Sequence, residues 1–266
     1  MKIDLYTRCW NDADMLGFFF RHYDPIVRRY VVFDDGSDDN SLDIWHSHAN
    51  AEIRPMPEYD DPDSRIGSNL AVLESCWKES RGGADWVIVT DIDEHLHHPD
   101  LGNYLAACKR QGVTIIPSLG YQMLADEFPH VEALLSRDLT MGAPDPVMSK
   151  MNLFSPNDIE TANFAPGRHE AAPQGNVVIP ERDELLLLHY KFLGFEHTLN
   201  RHRQLDRRQR KKDRAMSWGF HYAWPREQLR AYWDDLAGRL VDISDGELRP
   251  WATHPGSRWW RRQALR

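Results

Sequence analysis

Short apolar runs separated by polar stretches set the pattern of this chain. Residues 2–7 (KIDLYT) alternate apolar and polar, 29–33 (RYVVF) and 86–89 (WVIV) are continuous and largely β-branched, and 185–191 (LLLLHYK) repeats the form late in the sequence. Alternation of period two predicts a strand, and a short continuous run bounded by polar residues predicts one buried on both faces, as in a parallel sheet. Residues 51–54 make a shorter strand. Between them, Met15, Leu16, Phe18, Phe19 and Phe20 predict a helix capped by Asn11 or Asp12, and another is expected near Ser41. Ile66, Leu70, Leu73 and Trp77 predict a helix over 65–80 that Gly82 and Gly83 end. The first 95 residues therefore alternate strand and helix, so the strands must be parallel: an α/β fold.

The later part is less regular. A helix is expected over 101–110, then an extended segment over 113–123 whose Pro117 and Gly120 suggest an edge or a bulge. A strand over 148–154 carries Lys150, and glycines and prolines mark 163–175 (NFAPGRHEAAPQG) as a loop with His169 and Glu170 at its middle. A helix is expected over 195–214.

Two of the predicted strands end in acid. RYVVF runs into Asp34, Asp35, Gly36, Ser37, Asp38 and Asp39, and WVIV into Thr90, Asp91, Ile92, Asp93 and Glu94. In an extended chain Asp91 and Asp93 point to one side and Ile92 to the other. Carboxylates at the carboxyl ends of parallel strands lie where ligands bind in open α/β sheets, and beside a diphosphate they suit Mg²⁺ or Mn²⁺. Both stretches also read as hydrophilic turns. Neither G-x-G-x-x-G nor G-x-x-x-x-G-K-[ST] occurs, which disfavours a dinucleotide fold and a P-loop.

Composition narrows the classes. No stretch reaches the roughly 18 apolar residues that span a bilayer, and the amino terminus lacks a signal pattern, so a cytoplasmic protein is expected. Cys9, Cys76 and Cys108 are odd in number and far apart, which argues for buried thiols rather than disulfides or zinc. Net charge is −9, yet residues 201–266 hold 16 Lys and Arg against 8 Asp and Glu. That basic end predicts an anionic partner, a membrane surface or a phosphorylated substrate before a nucleic acid.

YVVFDDGSDDNS followed by DWVIVTDIDEHL, with TRCWNDADML ahead of them, resembles the family 2-like glycosyltransferases of the GT-A fold, in particular the bacterial branch whose central motif ends in D-x-D-E. The resemblance covers residues 1–125 well and the remainder loosely. It implies a GT-A, Rossmann-like, mostly parallel sheet flanked by helices, with a catalytic domain over 1–195 and a helical, basic, Trp-rich extension over 196–266 packed on it. It also implies a nucleotide-sugar donor, UDP-linked by preference, a saccharide or lipid-linked acceptor, a divalent cation and inversion at the anomeric carbon. By the same resemblance Asp35 holds the base with Asp34 beside it, and Thr7, Arg8 and Asn11 add donor contacts. Arg65 and Asn69 match positions near the diphosphate. Asp91 lies near ribose and metal with Ile92 next to it, and Asp93 binds the cation. His189 is the expected late metal ligand, with His169 in reserve, and Lys191 at the same strand end is a donor contact. Asp126 and Glu127, the nearest carboxylates beyond the central motif, are the candidate bases, with Glu170 as competitor; both also read as a helix start.

Three features leave alternatives open. His95, His97 and His98 extend the acidic motif toward a metal-dependent phosphohydrolase, although they read better as surface or supporting groups before Pro99. Residues 201–214 (RHRQLDRRQRKKDR) are a solvated face or a contact for phosphates, and Trp259 and Trp260 among arginines are a peripheral membrane contact or a tail packed on the body. A nucleotide-sugar-binding protein without catalysis is the remaining reading.

Overall fold

The computed structural model describes residues 1–57 and 62–263. Its strands are β1 (Ile3–Cys9), β2 (Arg29–Asp34), β3 (Ala51–Pro55), β4 (Trp86–Val89), β5 (Glu94–His97), β6 (Ile115–Ala125), β7 (Met141–Pro144), β8 (Lys150–Phe154), β9 (Ile159–Thr161), β10 (Gln174–Gly175), β11 (Leu186–Leu193) and β12 (Val241–Asp242). The helices are α1 (Ala13–Tyr23), α2 (Ser41–Ser47), α3 (Arg65–Ser75), α4 (Leu101–Arg110), α5 (Leu135–Asp138), α6 (Phe195–Arg207), α7 (Lys211–Ala215), α8 (Arg226–Ala237), α9 (Pro250–Thr253) and α10 (Trp259–Gln263).

The expected helix-flanked α/β sheet is what the chain forms. The parallel block runs β3-β2-β1-β4, and the apolar runs that predicted β1, β2 and β4 are almost wholly buried. Beyond β4 the sheet continues antiparallel through β8, β6, β7 and β12. On its other edge β6 pairs in parallel with β11, which carries β5 antiparallel. The carboxyl ends of β1, β2 and β4 thus open toward the ends of β6 and β11, where the site lies.

Two expectations change and one open alternative is decided. Of the edge or bulge suggested for 113–123, β6 shows the irregularity and not the edge: it pairs on both sides, with register shifts against β8 between Ile116 and Ser118, where Pro117 lacks an N–H, and against β11 between His189 and Phe192. Gly120 is needed because Met148 packs against its backbone, its carbonyl carbon 2.3 Å from where a Cβ would stand. The helix over 65–80 stops at Ser75 and tightens into a 3₁₀ turn, Cys76–Ser80. The helix over 195–214 breaks after Arg207, because α7 turns Asp213 inward to bond the start of α3.

Trp259 and Trp260 are 8% and 4% exposed and belong to the main hydrophobic core. Asp183 anchors them by accepting from Trp260 Nε1 at 3.0 Å and from Arg261. The indoles therefore pack on the body and are not available to a membrane. A smaller apolar cluster seats Phe195, Leu199, Leu229 and Trp233 against Leu124 and Phe192. Among the described residues no helix is long and apolar enough to cross a membrane.

Candidate active site

The central acidic motif is a turn, not a strand extension. β4 ends at Val89, and Glu94 N donates to Asp91 O at 3.1 Å, so the backbone reverses before β5 begins. Asp91 and Asp93 consequently do not share one face of an extended strand, as their spacing suggested. Pairing across the sheet fixes the turn instead: β11 lies antiparallel to β5 with His189 opposite Glu94, and Tyr190 N donates to Asp93 O at 2.7 Å. This register brings His189 Nε2 to 3.3 Å from Asp93 Oδ2. The parallel register with β6 sets Gln122 beside His189, whose Nδ1 lies 2.7 Å from Gln122 Oε1.

Behind the turn sits a buried ionic node. Glu94 is 1% exposed and accepts from Lys150 Nζ at 2.5 Å, Arg168 Nη2 at 2.9 Å and Asn152 Nδ2 at 3.1 Å. Arg168 also donates to Val89 O and to Asp91 Oδ2, while Arg8 Nε donates to Asp91 Oδ1 at 3.0 Å. Burial alone would raise the Glu94 and Asp91 carboxyls. The guanidinium and ammonium groups outweigh it and hold Glu94 well below the usual carboxylate range and Asp91 below it. Asp93 is likewise held well below that range, burial being outweighed by the facing His189.

These groups line a cavity of about 710 Å³ between the strand ends, the Pro166–Arg168 turn and the carboxyl-terminal helices. Lys191, two residues beyond His189 on β11, donates to His221 Nε2 at 2.8 Å and lies 4.4 Å from the Tyr222 ring centre. Burial would raise the Tyr222 phenol, yet Lys191, Arg8 and Arg65 together lower it. That end of the cavity is cationic and suits an anion. Asn69 lines it too, its buried Oδ1 without a hydrogen-bond partner in this structure.

Of the residues expected at the site, Arg8, Arg65, Asn69, Asp91, Ile92, Asp93, His189 and Lys191 converge on the cavity, as does the reserve His169. Arg65 is 4% exposed and bonded to Asp35, so it is no solvated helix residue. The others stand outside it. Thr7 is fully buried, and Asp35 is covered by Arg65 and Arg208. Asp34 accepts from Gly36 N and Ser37 N, holding a turn in which Gly36 takes φ +77°, and Asn11 bonds Asp38. Asp126 and Glu127 are exposed and do not line the cavity, because β6 has already run past it at Ala125. Glu170 is exposed beside Arg262.

Sequence reasoning missed Arg168, Asp12, Gln122 and Asp145, all of which line the cavity. The one signal for Arg168 was Pro166-Gly167 ahead of it, a turn that leaves Arg168 at φ +57° with its side chain inward. His95, expected as a surface or supporting group, is fully buried among Phe19, Tyr23 and Tyr190, because β5 pairs with β11 and is covered by α1 rather than leading straight into the next helix.

For a cation, the donor set divides. Both oxygens of Asp91 are held by arginines, which does not fit a metal ligand. Asp93 and His189 do fit. A neutral His189 that donates Nδ1–H to the Gln122 carbonyl, the second bond that metal-binding histidines usually make, keeps its Nε2 lone pair on the side of the Asp93 carboxylate. Among the described residues no group of three or more His, Cys, Asp or Glu side chains is arranged to hold a metal alone.

No protein-family model matches the chain, and no curated protein does. Among solved structures, TarS 1–349 of S. aureus in complex with UDP is similar at 14% identity and a TM-score of 0.34, over 59% of this chain and 47% of that one. Glucosyl-3-phosphoglycerate synthase of Mycobacterium tuberculosis in complex with Mn²⁺, UDP and phosphoglyceric acid is similar at 17% identity and a TM-score of 0.37, over 63% and 61%. The similar part thus spans about half of the TarS chain and less than two thirds of the synthase. The likeness is loose at these scores.

Proposed function

We propose that this protein is a glycosyltransferase that takes a sugar from a nucleotide-sugar donor, UDP-linked by preference, and passes it with inversion to an acceptor hydroxyl. The observation that carries the reading is the meeting of Asp93, His189, Lys191 and Arg8 in one cavity at the carboxyl end of a parallel sheet. Transfer leaves a nucleoside diphosphate whose charge grows in the transition state, and preorganised positive groups stabilise it there. Arg8 and Lys191 face that position, with Arg65 and Tyr222 beside them. Asp93 and His189 would hold a divalent cation such as Mn²⁺, which when bound adds charge opposite the diphosphate. The role of Arg168 and Glu94 is to keep the Asp91–Asp93 turn in place.

The family 2-like branch and a base-binding role for Asp35 belong to this proposal. Admitting a base to Asp35 requires Arg65 and Arg208 to yield, since both cover it in this structure. The phosphohydrolase alternative loses its ligand set, because His95 is sealed in the core.

The test is thermal stabilisation by UDP-, GDP- and dTDP-sugars with and without Mn²⁺. A cognate donor at about 100 times its dissociation constant stabilises by roughly 2.7 kcal/mol. The expected result is a donor response that Mn²⁺ strengthens and that Asp93→Asn removes, with turnover lost in the same variant. Stabilisation without turnover across many acceptors would support a binding protein, and no response to any nucleotide-sugar would end the proposal.

A further inference from the structure

We infer that the end of the cavity around Asp145 is a subsite for the ring of a saccharide acceptor, with Asp145 as the base that takes the proton from its hydroxyl. The inference rests on the transferase reading above and names its acceptor class and a catalytic residue.

Six carboxylates line the cavity, and five are paired with a cationic side chain or a histidine. Asp12 pairs with Arg201, Asp14 with His197, Asp91 with Arg8 and Arg168, Asp93 with His189, and Glu94 with Lys150 and Arg168. Asp145 alone among them is held by neutral donors, Val147 N on Oδ1 and Gln122 Nε2 on Oδ2, each at 3.0 Å. Each oxygen keeps a lone pair for an incoming hydroxyl. Position favours it as well. Gln122 donates to Asp145 through its amide nitrogen and meets His189 through its carbonyl, so one side chain of fixed orientation links this carboxylate to the Asp93–His189 end. Asp145 and the Asp93–His189 end therefore border the same cavity on either side of Gln122.

The surroundings suit a sugar ring. Trp224 and Tyr232 line the same end with ring centres 5.2 Å apart, and Phe220, 60% exposed, stands 5.8 Å from Trp224. Tyr232 is close enough to Asp145 to feel its charge, and Arg239 borders the cavity. An aromatic face packs against the C–H face of a pyranose, while a carboxylate, a phenol and a guanidinium take its hydroxyls. A second nucleotide would need cations for its phosphates here, and Arg239 is already paired with Asp235.

In the step, the Asp145 carboxylate accepts the acceptor's hydroxyl proton as that oxygen bonds to the anomeric carbon. The bond from the anomeric carbon to the diphosphate oxygen breaks, and its electron pair leaves with the nucleoside diphosphate. Asp145 then passes the proton to water.

Saturation-transfer NMR with the methyl glycosides of glucose, galactose, mannose and N-acetylglucosamine tests the subsite on the full chain. Contact to the ring C–H protons is expected with the wild type and with Asp145→Asn, and its loss with Trp224→Ala. Transfer kinetics test the base: general-base catalysis is worth about 10²–10⁴-fold, so Asp145→Asn lowers kcat at least 100-fold while the donor's dissociation constant stays within a factor of three. The acid limb of the pH–rate profile disappears in that variant, a change that a loss of folding alone does not produce. No contact with any of the four glycosides, or a kcat for Asp145→Asn within threefold of wild type, overturns the inference. Failure of every nucleotide-sugar to bind the wild type overturns the transferase reading instead, and the glycoside measurement still decides the subsite.

Discussion

At Glu94 two cations depend on one carboxylate. Lys150 is 3% exposed with its ammonium on Glu94 Oε1, and Arg168 is 2% exposed with one nitrogen shared between Glu94 and Asp91. Removing one partner of a buried ion pair leaves the others without their counter-charge and typically costs about 3–5 kcal/mol. Glu94→Ala is therefore expected to lower unfolding stability by about that amount in urea titrations. Glu94→Gln keeps the shape and, with its carbonyl oxygen in the Oε2 place, an acceptor for Arg168, Asn152, Thr90 and Asp91 N, and is expected to lose less. The same carboxylate accepts from Asp91 N and Thr90 Oγ1, so either variant also loosens the turn that carries Asp93. A stability change in Glu94→Ala below about 1 kcal/mol would show that the node is solvated and that this account of it is wrong.

Helix α3 begins on a residue nearly 150 positions away. Ser64 is its N-cap and accepts from Gly67 N, while Asp213 of α7 accepts from Ser64 Oγ, Arg65 N and Ile66 N. One fully buried carboxylate thus satisfies helix-terminal donors that have no partner within the helix. Asp213→Ala is expected to cost about 1–3 kcal/mol, from the lost cap and the stranded donors, and to weaken nucleotide-sugar stabilisation because α3 carries Arg65 and Asn69. Measured stability equal to wild type would refute the cap. This contact also shows where sequence legibility ended. Apolar runs announced β1, β2 and β4 and their acidic ends because burial on both faces needs no distant partner to be recognised. A single Asp in a basic stretch, Arg168 behind a left-handed turn, and Gln122 within β6 gain their roles only from long-range pairing. Order along the chain points to Asp126 and Glu127, but order does not tell how far a strand runs past a cavity.

Across the molecule, charge is folded inward more than composition suggests. The basic stretch near the carboxyl end directs Arg201 to Asp12 and Arg208 to Asp35, while Arg203, Arg207, Lys211, Lys212 and Arg214 stay exposed. The same inward packing sets an acid limit on stability. His22 of α1 places Nε2 2.8 Å from Leu96 O of β5 and stacks on His95 with ring centres 4.5 Å apart. Burial lowers its pKa from about 6.5 to about 4, with a smaller contribution from His97, which burial also lowers to about 4. Above pH 6.5 neither the folded nor the unfolded chain protonates these rings, and their packing contributes fully. Between 6.5 and 4 the unfolded chain takes up protons that the folded one refuses, so stability falls as pH falls. The depressed carboxyls of Asp91 and Glu94 extend the loss below pH 4.5, where the unfolded chain again binds protons first. Unfolding temperature is therefore expected to decline steadily from pH 6.5 to 4, before carboxylates alone would act. In His22→Gln, whose amide keeps a donor for Leu96 O without titrating, the decline over that window is expected to be shallower. An identical slope in the variant would mean that His22 protonates freely in the folded protein and that the contact between α1 and β5 is open to water.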